Sequence, residues 1–149
     1  MPCSPSCWRG FYERFRRLAI RSQISIRHLV RELNEQEFVY FTKGDNVANL
    51  NKVMTYVEEN ELTNHLKIVL LLREGQQVPA GLLTDLGVLD RAYPNIHLDF
   101  VARPGRFGPD LSTELSEEWG IPKNFMFIGS PGDKFRYQVS ELGGVRLIV

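Results

Sequence analysis

The segment that most restricts the fold is LKIVLLL at residues 66–72, apolar everywhere except Lys67. A strand with one wet face alternates between apolar and polar residues. A strand apolar on both sides needs cover on both sides, which is the environment of a parallel sheet flanked by helices. The longest unbroken apolar run, IVLLL at 68–72, has the length of a buried strand and falls far short of the roughly 20 residues that span a bilayer.

The surrounding chain repeats strand and helix patterns in alternation. FVYFT at 38–42 is β-branched and aromatic, as strands prefer. After the turn KGDN, residues Val47, Leu50, Val53, Met54 and Val57 recur at helical spacing up to about Asn60. Beyond the 66–72 strand, Leu82, Leu83, Leu86, Leu89 and Ala92 line a second helix, with Pro79 near its start and Tyr93–Pro94 at its end. IHLDFVA at 96–102 alternates more and reads as a strand nearer a sheet edge. Residues 110–119 form a third helix with Leu111, Leu115 and Trp119 inward, capped by Asp110 and closed by Gly120. NFMFIG at 124–129, a short helix at 133–142 and VRLIV at 145–149 complete the series. Five strands with four intervening helices predict an α/β fold: a five-stranded, mostly parallel, doubly wound sheet of order 3-2-1-4-5.

The formal net charge of zero is the sum of two opposed parts. Residues 1–35 carry seven arginines (Arg9, Arg14, Arg16, Arg17, Arg21, Arg27, Arg31) against Glu13, Glu32 and Glu35. Residues 36–149 hold 11 basic and 15 acidic side chains. The chain thus divides into a basic amphipathic helical leader, 1–35, and an acidic α/β domain, 36–149. An arginine-rich amphipathic helix suits an anionic membrane surface, and equally suits packing on the domain or on a partner. No nucleic-acid reading element accompanies the arginines. Cys3 and Cys7, the only cysteines, both lie in the leader, and their spacing is not that of a zinc site. The opening residues lack the apolar core of a signal peptide.

In a doubly wound sheet, ligands bind beyond the carboxyl ends of the strands, where the strand order reverses. Here that point lies between the loops after the first and fourth strands. The first loop offers Thr42, Gly44 and Asp45; the second offers Gly129, Ser130, Gly132 and Lys134. Backbone N–H groups from glycine-rich turns, beside a serine and a lysine, can hold an anion or a nucleotide phosphate. The same residues also satisfy tight turns and an Asp133 helix cap. Neither G-x-G-x-x-G nor G-x-x-x-x-G-K-(S/T) is present, so no cofactor is assigned. His28, His65 and His97 have no ligand-spaced neighbours, and Glu114, Glu117 and Glu118 share one helix without a facing acid. The chain carries no legible catalytic or metal-binding set, and the expectation is a protein that is not an enzyme.

FVYFTKGDNVANLNKVMTYVEENELTNHLKIV at 38–69 and YPNIHLDFVARPGRFGPDLSTELSEEWGIPKNFMFIGSPGDKFRYQVSELGGVRLIV at 93–149 resemble the cytoplasmic C-terminal domain of amino acid permeases of the amino acid–polyamine–cation superfamily. Such domains are similar in fold to universal stress proteins and to the cytoplasmic domains of cation–chloride cotransporters. The resemblance implies a regulatory or assembly domain at the cytoplasmic face of a membrane. Transmembrane amino acid transport would then belong to a membrane-embedded portion, with the leader arginines at the membrane surface and this chain a fragment or separated domain. Homodimerisation through an open sheet edge is available to such a domain. The alternative implied by the fold likeness is a freestanding universal-stress-like protein that binds a nucleotide. Its ATP pattern, G-x-x-G-x9-G-(S/T), is met at Gly129 and Gly132 and broken at Leu142.

Overall fold

A computed structural model describes residues 35–44, 47–129 and 137–148. Glu35–Val149 forms a compact unit of its own. The expected helical leader lies outside the described residues.

Five strands, β1 (Glu37–Thr42), β2 (His65–Leu72), β3 (His97–Pro104), β4 (Met126–Gly129) and β5 (Arg146–Ile148), form one sheet. Three α-helices connect them: α1 (Val47–Asn60), α2 (Leu82–Ala92) and α3 (Pro109–Trp119). The strand order is β3-β2-β1-β4-β5, as the β-α alternation predicts, and all four pairings are parallel. This is a generic Rossmann-like, doubly wound arrangement.

The alternation of side chains along each strand divides the core in two. Phe38 and Tyr40 of β1, with Leu66, Ile68 and Leu70 of β2, point to the face covered by α1 and α2. There they meet Leu50, Val53, Met54 and Val57 of α1 and Leu82, Leu86 and Leu89 of α2. Val39, Phe41 and Val69 point the other way, to Leu115 of α3 together with Ile121, Leu142 and Val145. Apart from Lys67, the segment is therefore apolar because both of its faces are covered. A polar link joins the first two helices: Tyr93 Oη donates to Asn51 Oδ1 at 2.9 Å and lies 2.9 Å from Thr55 Oγ1.

Three expectations are corrected. No helix among the described residues is long and apolar enough to cross a membrane, against the expectation of a membrane protein of transmembrane transport. The longest, α1, has 14 residues. At 1.5 Å per residue it reaches about 21 Å, whereas a bilayer core is about 30 Å thick. The helix expected at 133–142 is, over its described part, a 3-10 helix at Val139–Leu142. It is closed by Glu141 Oε2 accepting from the Gln138 N–H at 2.8 Å and by Gly143 in the left-handed region. Finally, Asp110 does not cap α3. Gly108 holds the cap position, Pro109 begins the helix, and no side chain caps it. Proline needs no hydrogen bond for its nitrogen at a helix start, so the helix begins one residue earlier than the acid suggested. Gly120, with φ of 66°, ends α3 as expected.

Candidate functional site at the carboxyl ends of β1 and β4

The central strand β1 and its neighbour β4 run side by side, with Phe41 opposite Ile128. One residue further along, β1 ends at Thr42 and β4 at Gly129. The chain reverses its winding here. The connections leading away from β1 through β2 to β3 use α1 and α2 on one face, whereas the return to β4 uses α3 on the other. Among the described residues no crossover helix joins β1 directly to β4, and in a doubly wound sheet such a seam is where a crevice opens.

Thr42 is buried, and its Oγ1 accepts a hydrogen bond from the Gly44 N–H at 3.1 Å. This short turn bends the chain away from the sheet as soon as β1 ends. Gly44 has φ of +80°, and a Cβ there would stand 2.9 Å from Leu70 Cδ1 and 3.2 Å from Pro79 Cγ. Glycine is thus required twice over, by backbone conformation and by the close approach of the β2 end and its following loop. Across the seam, a Cβ on Gly129 would lie 2.7 Å from Tyr40 Oη. The hydroxyl of a buried β1 tyrosine therefore lies against the last residue of β4.

Of the residues predicted from the sequence, the structure describes Thr42 and Gly44 at the end of β1 and Gly129 at the end of the adjacent β4. Asp45, Ser130, Gly132 and Lys134 lie outside the described residues. The sequence reading missed Tyr40 as a wall of this region, and it missed Leu70 and Pro79 behind Gly44. A signal for Tyr40 existed: a tyrosine on the buried face of an otherwise apolar strand needs a place for its hydroxyl. The strand end at Gly129 supplies one.

At the opposite, amino end of the sheet, a second feature emerges from register alone. His65 and His97 begin neighbouring parallel strands as direct partners, and their rings meet edge to face with centroids 5.5 Å apart. They line an open depression of about 590 Å³ with Asn64, Asp90, Arg91 and Asn95. His97 Nε2 is 3.7 Å from Asp99 Oδ1. Among the described residues, no group of three or more His, Cys, Asp or Glu side chains could hold a metal ion.

A third group packs on the α1 face beside β5. Arg146 lies with its guanidinium carbon 4.3 Å from the Phe127 ring centre and its Nη2 2.9 Å from Glu61 Oε1. Burial raises the Tyr56 phenol above its ordinary value, its hydrogen bond to Glu61 and the carboxylate charge add to that, and Arg146 opposes it.

The chain matches no family model, no curated protein and no solved structure.

Proposed function

We propose that the Glu35–Val149 domain binds a phosphate-bearing small molecule of the nucleotide type in the crevice above β1 and β4, in the manner of a freestanding universal-stress-like protein. The observation that carries this reading is the direct pairing of β1 with β4, Phe41 opposite Ile128, one residue before each strand ends and at the reversal of winding. Gly44 and the Thr42 turn form one side of the floor, and Gly129 with Tyr40 forms the other. From the sequence, Asp45 lies just beyond the end of β1, and Ser130, Gly132 and Lys134 lie beyond that of β4; their backbone N–H groups, with the Lys134 ammonium, are the donors that a phosphate requires.

The site departs from the universal-stress ATP pattern at Leu142. That residue has no exposed surface and is part of the core on the α3 face. A side chain committed to packing replaces the third glycine of the pattern, so phosphate contacts are left to Gly129 and Gly132 and their neighbours.

The test is calorimetric titration of the full chain with ATP, AMP and inorganic phosphate at millimolar concentration. Saturable binding of a nucleotide is expected. Lys134→Glu should weaken it by about tenfold or more, the loss of one charge-assisted hydrogen bond. Absence of binding by all three would reject the proposal.

A further inference from the structure

The two edges of the sheet are unlike. β5 has three residues, too short to template another strand, whereas β3 has eight and lies at the opposite edge. The ladder with β2 fixes which β3 backbone groups face outward. The N–H of His97 donates to the Asn64 carbonyl at 2.6 Å, and that of Gly105 donates to the Leu72 carbonyl at 2.9 Å. In a parallel pair, alternate residues direct both backbone groups to the same neighbour. Residues 97, 99, 101, 103 and 105 therefore point theirs at β2. Leu98, Phe100 and Ala102 point theirs outward, as does Pro104, whose missing N–H costs the sheet no bond.

We propose that this edge pairs with the same edge of a second copy of the chain, antiparallel and two-fold symmetric about Val101, joining two five-stranded sheets into one. The proposal is independent of the ligand reading. Charge selects the register. An antiparallel pair matches outward-pointing residues with outward-pointing ones, so the two-fold axis must pass through a residue. Centred on Asp99 or on Arg103, the pair would oppose two like charges. Centred on Phe100 it would leave Asp99 opposite Val101, and centred on Ala102 it would leave Arg103 opposite Val101, so neither register matches the two charges with each other. Centred on Val101, it places Asp99 opposite Arg103 of the second copy, twice.

These are non-hydrogen-bonded positions, where facing side chains approach most closely. The other face agrees, because Phe100 then lies opposite Ala102, a large residue against a small one. The charges also extend an existing row. Glu37 pairs with Lys67 at 2.7 Å, and Lys67 is in register with Asp99, so Arg103 of the second copy continues the alternation of sign. On its own chain Arg103 is bridged to Glu118, which orients the guanidinium without burying it.

Sedimentation of the full chain at high micromolar concentration should show a species of twice 17.2 kDa. Asp99→Lys alone and Arg103→Glu alone should each sediment as the monomer, because each creates two like-charge contacts. An equimolar mixture of the two variants should return to the dimer, since both opposed pairs are restored between unlike partners. Ala102→Pro, which removes an outward N–H and no internal bond, should also give monomer. Far-ultraviolet circular dichroism checks that each variant is folded. A monomeric wild type, dimeric single variants, or a mixture that stays monomeric would each overturn the proposal.

Discussion

Replacing Gly44 by alanine separates two reasons for a glycine, because Gly75 provides an internal control. Both have positive φ, +80° and +75°. A Cβ on Gly75 would meet nothing within 4 Å, whereas one on Gly44 would meet Leu70 Cδ1 at 2.9 Å and Pro79 Cγ at 3.2 Å. The left-handed backbone costs an L-residue about 1–2 kcal/mol at either site. Alanine also reduces unfolded-state entropy, which offsets about 0.4–1 kcal/mol of that cost in both. Gly75→Ala should therefore lose about 1 kcal/mol. At Gly44 the Leu70 methyl can swing aside, but the Pro79 ring is stiff, and overpacking of this kind costs about 1–3 kcal/mol more. Urea unfolding at a common slope reads the two losses directly. Equal losses for Gly44→Ala and Gly75→Ala would refute the close approach of β2 and the Pro79 loop to the β1 turn.

Two further outcomes follow from packing and protonation. Leu142→Ala should destabilise by about 2–4 kcal/mol in the same urea assay, because a wholly buried side chain leaves a cavity under α3. A solvent-exposed loop residue at this position would show almost no loss. Tyr56 holds its proton to higher pH in the folded chain than in the unfolded one. Above the unfolded value of about 10, the unfolded state binds fewer protons, so stability should fall as pH rises through the folded value. Below that range Tyr56 contributes no pH dependence. Tyr56→Phe should flatten the alkaline decline in the urea midpoint, and an unchanged slope would contradict the role assigned to Tyr56.

The fold was legible because its signals were strong and local. LKIVLLL demanded cover on both faces, and α1 and α2 supply it on one while Leu115 and its neighbours supply it on the other. The helices around Leu50–Val57 and Leu82–Leu89 announced themselves by spacing, and Gly120 marked an end that its left-handed backbone confirms. Less legible was anything decided by competition between neighbours. At the start of α3, Pro109 outranks the capping acid beside it. Pro104 belongs to β3 although proline suggests a loop, because its nitrogen faces the open edge. Phe125 reads as strand but closes a 3-10 helix after Pro122, its N–H donating to the Pro122 carbonyl at 2.9 Å. Of the candidate site, Thr42, Gly44 and Gly129 were legible as residues at or just past strand ends, which is where the structure has them. Tyr40 was missed because sequence carries no record of which residue its hydroxyl lies against.

The central position of β1 has a consequence for how the domain is held closed. Val39 is matched with Lys67 on one side and with Met126 on the other, so the two seams of one strand close loops of very different length. The longer spans roughly three times as many residues, which adds about 1 kcal/mol of closure entropy to the β1–β4 seam. That seam is also the shorter ladder, three matched pairs against six for β1 with β2. The crevice thus sits on the junction with the greatest entropic debt, and no junction of the sheet has fewer rungs. A molecule that touches both strand ends would act there as a clasp, holding together the two parts of the sheet that the chain itself connects most loosely.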